Sequence, residues 1–501
     1  MCDVTGVENA IVALDEVSTS ECAFDDAEQA TDTEARFTSA ISQLNVATSA
    51  GDVLLVMGDL HASLMQDYIL SVSDDVEMKL FIAVLNVARR TIPTDTFPLT
   101  DRQADVLCGC YLVLSDVAKI TPQLYRLVAN TDVARITIAL LLETNEPELV
   151  AKCIQLLDSL ISNDACSETI LPVSDALVNR VIVVLYQASA NVTESCMKDE
   201  CARCEHTLQK QASAIHFLRQ AQLDDELSDD LLGSVVHMCI DLAGSQCRSD
   251  DIRHQLLDLL LYVSDQDVDR FATAMLGNGY LPSLLPHILS DDVLVCRNAL
   301  IVFGNICKAS VIDEPQTSIC AQTLQAWFLP HVPCLCHKSA RTSSLVMHIL
   351  WTLIAKPGEF RCLLDYDIVP YIVEGLRCDV DAVVFATLLL VVRLAQTSAA
   401  HGDFGVIFGD KYGLTSALVQ LMPRVTNTDP SCRRMTSQIS ACYKSIVEAI
   451  GCAASSDVGA HSVQFKVILQ QFYSELAKDI YTDWILPKSS YANIWKALQN
   501  L

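Results

Sequence analysis

The sequence predicts an all-α protein, folded as a right-handed superhelix of about 8–10 stacked helical repeats. Three observations lead there. The chain has 501 residues, 51% of them hydrophobic, yet only 17 Gly and 15 Pro, a composition that favours helices over strands and tight turns. No Pro/Gly/Ser-rich linker divides it, so one long array fits better than the several globules its length would suggest. Apolar, helix-sized segments recur along it with polar turns between them, and such periodicity decides a fold before any local feature does.

In order, the apolar segments are CYLVLSDVAK (110–119), KCIQLLDSLISND (152–164), KQASAIHFLRQAQ (210–222) and QLLDLLLYVSDQD (255–267). NALIVFGNICKAS (298–310), HILWTLIAKPG (348–358) and ATLLLVVRLAQTS (386–398) follow. Windows opened at 109, 152, 210, 255, 298, 348 and 386 are separated by 43, 58, 45, 43, 50 and 38 residues. The step of 58 implies an insertion and the step of 38 a trimmed loop.

A second element precedes the apolar helix in the later units: LPSLLPHILSDD at 281–292, VPCLCHKSA at 332–340 and VPYIVEGLRCD at 369–379. Each opens with Pro at its second position, which suits a first helical turn because the missing N–H has no intrahelical partner there anyway. The polar turn after it is expected to cap the next helix, with Ser290 and Asp291 as the capping candidates. Gly277-Asn278-Gly279 lacks the spacing of a phosphate loop and reads as an inter-repeat turn. One such unit cannot bury its own apolar face, but a stack of them does so continuously.

These units resemble armadillo/HEAT-type repeats, whose period is roughly 40–47 residues, so the resemblance implies an α-solenoid. Within that class the chain is most similar to importin alpha, the adaptor for nuclear import. The resemblance rests on LPSLLPHILSDDVLVCRNALIVFGNIC (281–307), on HILWTLIAKPG, and on HGDFGVIFGDKYGLTSALVQL (401–421). It implies a concave groove that binds basic peptides through Trp and Asn side chains one helical turn apart on the third helices. Indole faces hold Lys stems and their cations, while Asn amides clamp the peptide backbone.

At the Asn position successive units carry Asp116, Ser159, Phe217, Tyr262, Asn305, Ala355 and Arg393. At the Trp position they carry Leu112, Gln155, Ser213, Asp258, Ile301, Trp351 and Leu389. No unit has both, and the surviving groove candidates are Asn305 and Trp351, in adjacent repeats. The family's basic N-terminal arm, which binds an importin beta carrier, is replaced by residues 1–35, with ten acidic residues and no Lys or Arg. That segment reads as a flexible acidic tail. Residues 36–460 read as the solenoid and 461–501, with Trp484 and Trp495, as capping helices for its open end.

The net charge of −28 comes from 62 acidic and 34 basic residues. Such a chain repels nucleic acid and anionic lipid and attracts basic proteins. The longest apolar run, Ala382 to Val392, is too short for a membrane span. The 21 cysteines, with no basic n-region ahead of them, are expected to be reduced thiols, and Cys153, Cys296 and Cys307 to pack as small hydrophobes. Cys196, Cys201, Cys204 and His206 form the strongest zinc candidate. A chain this rich in cysteine produces such clusters by chance, so neither metal nor cofactor is expected. No G-x-S-x-G, H-E-x-x-H or kinase signature occurs. The expected function is therefore non-enzymatic: a cytoplasmic adaptor, shuttling to the nucleus, that carries basic-peptide cargo. The alternative is an armadillo/HEAT scaffold for a cytoskeletal or regulatory complex with no transport role.

Overall fold

The computed structural model describes residues 34–66, 74–92, 98–120, 132–161, 174–191, 202–220, 228–244, 249–309, 317–355, 359–401, 404–408, 411–425 and 446. Among these residues every regular element is a helix. The chain divides into two compact units, 1–259 and 260–501, and the division falls inside one helix.

The first unit holds α1 (Ala50–Gln66), α2 (Asp74–Thr91), α3 (Asp101–Ile120), α4 (Val133–Glu143), α5 (Pro147–Ile161), α6 (Asp175–Asn191), α7 (Ala202–Gln220), α8 (Asp229–Ala243) and the first part of α9 (Asp250–Gln266). Here α1 packs on α3, α3 on α5 and α5 on α7. The reason is a repeated stripe at helical spacing: Leu107, Cys110, Tyr111 and Leu114 in α3, then Cys153, Leu156, Leu157 and Leu160 in α5, all fully buried. In α7 the same role falls to Ala214, Phe217 and Leu218.

The second unit, after the end of α9, shows the repeat in full. A short first helix, a Pro-opened second and a long third recur as α10 (Val268–Gly277), α11 (Leu281–Ile288) and α12 (Val293–Ala309). Next come α13 (Thr317–Phe328), α14 (Val332–Lys338) and α15 (Ala340–Leu353), then α16 (Arg361–Asp365), α17 (Val369–Arg377) and α18 (Asp381–His401). The short α19 (Phe404–Phe408) and α20 (Leu414–Val425) end the described array. The three Pro-containing segments of the sequence are α11, α14 and α17, each with Pro in its first turn. The long helices stack, α12 on α15 and α15 on α18. This is an armadillo-type α-solenoid architecture.

Local chemistry sets the corners. The turn between first and second helix needs a left-handed residue, supplied by Gly279 (φ 70°), Asp367 (φ 51°) and Gly413 (φ 70°). At two of these turns the chain closes with the same long bond, Tyr280 N–H to Met275 O at 3.0 Å and Ile368 N–H to Leu363 O at 2.8 Å. Gly277-Asn278-Gly279 is thus an inter-repeat turn. The cap of α12 differs from expectation. Asp292, not Ser290 or Asp291, accepts from the Leu294 and Val295 amides, at 2.8 and 3.1 Å, and Ser290 Oγ instead accepts from Asp292 N–H at 3.2 Å. Asp292 is one residue nearer the helix, and a capping side chain must reach the second or third amide.

A stretch of α18, Asp381–Ser398, is long and apolar enough to cross a membrane, but 61% of it is buried within the structure; it packs against α15 and α17 as a core helix. Cys153, Cys296 and Cys307 are buried free thiols, and burial first of all raises their pKa values. Among the described residues no three His, Cys, Asp or Glu side chains converge on a metal site. Cys196, Cys201, the side chains of Cys204 and His206, the capping segment 461–501 and residues 1–33 lie outside the described residues.

Candidate functional site

Polar side chains of the long helices meet from one repeat to the next, and the pattern differs between the two units. In the first unit it is a ladder of contacts between consecutive repeats. His61 Nδ1 on α1 meets Asp116 Oδ2 on α3 at 2.6 Å, with Asp116 only 4% exposed. Ser115 Oγ meets Ser159 Oγ on α5 at 3.0 Å. Asp158 on α5 pairs with His216 on α7, and Arg219, one turn further along α7, pairs with Asp258 on α9. At the edge of the same face Lys210 donates to Glu148 at 3.0 Å. Lys152 donates to Gln155 at 3.3 Å, its pKa lowered by desolvation against the opposing pull of Glu148 and Asp116.

Between α5, α7 and α9 these groups line a cavity of about 380 Å³. Asp158 from α5 and Gln255 and Asp258 from α9 line it together with Ser213, His216 and Arg219 from α7. Side-chain exposure is 43% and 17% for His216 and Asp158, and 47% and 39% for Arg219 and Asp258. The Arg219–Asp258 pair, open to solvent on both sides, is worth at most about 1 kcal/mol, so a ligand cation can exchange for Arg219.

The second unit solves the same packing problem differently. Asn305, on α12, is 1% exposed. Its Nδ2 donates to Ser264 Oγ at 3.0 Å and to Asp265 Oδ1 at 2.6 Å, both at the end of α9, and its Oδ1 accepts from Lys308 at 2.9 Å. Trp351, on α15, is half-buried. The guanidinium carbon of Arg393, from α18, lies 3.9 Å from its ring centroid, and Arg393 Nη1 donates to the Trp351 carbonyl at 3.1 Å. Burial lowers the Arg393 pKa, and Glu359 nearby opposes that. The two sequence candidates thus sit on adjacent long helices but turn to opposite neighbours, Asn305 to the preceding repeat and Trp351 to the following one.

Sequence reasoning missed Asp158, His216 and Arg219 as site residues, and placed Asp258 only as a ladder position without a role. Of the positions it assigned to the Asn rung, Asp116, Ser159, Asn305 and Arg393 do make contacts between repeats. Phe217 is instead a fully buried packing residue of the stack, and the polar rung is one residue earlier, at His216. The charged residues three apart on one helix, His216 and Arg219, were the available signal.

No family model matches the sequence, and no curated protein matches it either. Among solved structures an engineered protein is similar at 13% identity and a TM-score of 0.52, covering 94% of this chain and 98% of that one. SYS-1 is similar at 12% identity and a TM-score of 0.46, covering 93% and 98%. SYS-1 in its complex with POP-1 gives 13% and 0.48, covering 93% and 99%. At these identities the likeness is one of fold alone.

Proposed function

We propose that this chain is a non-enzymatic protein-binding scaffold, and that an extended basic segment of its partner lies across the long helices of the first unit. The observation that carries this reading is the cavity between α5, α7 and α9, with Asp158 and Asp258 in its lining and the Asp258 carboxylate held by the exposed Arg219. Carboxylates also outnumber Lys and Arg along the long helices of that unit, with Asp101, Asp105, Glu148 and Asp251 adding to the pair in the cavity. A Lys or Arg entering there meets two carboxylates and displaces the weak Arg219–Asp258 pair, and approach is helped by the net charge of −28.

The test is binding of a Lys-rich twelve-residue peptide to the full chain, followed by fluorescence anisotropy across a salt series. Asp158→Asn with Asp258→Asn should weaken it about tenfold and flatten the salt dependence. An unchanged affinity, or salt-insensitive binding, would remove the basis for this site.

A finer reading, carriage of basic nuclear-localisation cargo by a protein that shuttles between cytoplasm and nucleus, draws its support from Trp351. That ring already holds a cation, so it has the geometry a cargo Lys would use. The acidic segment 1–35 stands where the resembled family has its carrier-binding basic arm, so carriage by an importin beta-like partner would need another contact.

A further inference from the structure

The two units differ in how they treat their cations, and the second unit's arrangement is the unexpected one in a chain with 62 acidic residues. On α12, Arg297, Ile301, Gly304 and Lys308 recur at helical spacing and reach solvent. On α15 the uncovered positions include Arg341, Leu345, His348 and Trp351, and on α18 Phe385, Leu389 and Arg393. These three helices carry four Lys or Arg and a single carboxylate, Asp381, in the first turn of α18. They touch along this face, through Gly304 against Ile349, Ser344 Oγ to Ala382 O at 3.3 Å, and Arg393 over Trp351.

None of the four cations is in an ion pair with a carboxylate among the described residues. Lys308 is bonded to an amide oxygen and Arg393 to a ring and a carbonyl, while Arg297 and Arg341 have no polar partner there. Partial burial lowers the pKa of His348, and the Lys308 ammonium nearby lowers it further. The neighbouring carboxylates are marginal: Asp265 receives the Asn305 amide, and Glu359 lies beside Arg393.

We infer that the face formed by α12, α15 and α18 is a second docking surface, and that its ligand is an acidic, partly apolar extended segment of a protein. This rests on the reading of the long-helix faces as binding surfaces, but not on the basic-peptide site of the first unit. Charge complementarity assigns the sign, because unpaired cations gathered on one face lower their energy by meeting carboxylates. The apolar residues between them assign the class. Leu345, Trp351, Phe385 and Leu389, part-exposed between the cations, offer contacts to apolar side chains, which a polyphosphate lacks.

The experiment uses the full chain and a twelve-residue peptide alternating Asp/Glu with Leu and Phe, beside a single-stranded oligonucleotide of equal length. The peptide should bind, with affinity falling as salt rises. Arg297→Ala with Arg341→Ala, both solvent-reaching, should weaken it about tenfold, whereas Asp158→Asn with Asp258→Asn should leave it unchanged. Loss of acidic-peptide binding in the Asp variants, no effect of the Arg variants, absence of binding, or preference for the oligonucleotide would each overturn the inference. Failure of the Lys-rich peptide to bind would bear on the first-unit site alone.

Discussion

In the first unit, Lys210, Arg219, His61 and His216 each meet a carboxylate from another helix; in the second, Arg297, Lys308, Arg341 and Arg393 are in no ion pair among the described residues, and Arg393 lies over the Trp351 ring with Glu359 near it. The same architecture thus holds its repeats together with two kinds of chemistry. Exposed ion pairs contribute little to stability and are easily exchanged. A buried amide that satisfies three polar neighbours is neither weak nor exchangeable. A polar rung in such a stack is therefore not automatically a ligand site. Its burial and its present partners decide whether it ties repeats or waits for a partner.

The sharpest way to break this comparison is Asn305→Ala. It removes the amide that joins Ser264 and Asp265 to Lys308 and leaves a small void under α12. The expected loss is about 2–3 kcal/mol, read as faster amide exchange in α9, α10 and α12. A loss below about 0.5 kcal/mol would mean that Asn305 is no tie at all.

Much of the fold was legible because its signals are local. The Pro-opened helices α11, α14 and α17 and the apolar third helices α12, α15 and α18 follow from first-turn proline and 3.6-residue periodicity alone. Asn305 and Trp351 were found on the long helices for the same reason. What the residues do there was not legible. Whether Asn305 faces a ligand or the preceding helix depends on a neighbour 40 residues away, Asp265. Net charge was silent in the same way, since −28 is a sum over the chain and does not show that α12, α15 and α18 carry four Lys or Arg and one carboxylate. The cap of α12 was missed by one residue, within the error with which sequence places a helix start.

A middling effect is expected from Trp351→Ala. The ring is half-buried and carries the Arg393 guanidinium, so truncation should cost about 1–2 kcal/mol, from partial burial and a cation–π contact of about 0.5–1 kcal/mol. A fully packed core tryptophan would lose about 3–5 kcal/mol instead. Chemical denaturation separates the two. If the larger figure is found while Lys-rich peptide affinity survives in the folded protein, Trp351 is a packing residue and the transport reading loses its support.

The smallest effect is the most telling for the first unit. Arg219 and Asp258 are about half and more than a third exposed, 47% and 39%, so their attraction is screened by water and by salt, and holding two side chains in register opposes it. Arg219→Ala should therefore cost less than about 1 kcal/mol, and the difference from the parent should vanish in about 1 M salt. The same substitution frees Asp258 at the edge of the cavity, so affinity for a Lys-rich peptide should rise even as stability falls slightly. That opposite movement is what an exchangeable pair predicts and a structural tie does not. If Arg219→Ala instead destabilises by 2 kcal/mol or more, as about expected for a buried partner, with no gain in peptide affinity, then the first unit uses its ion pairs as the second unit uses Asn305, and the contrast between the two faces disappears.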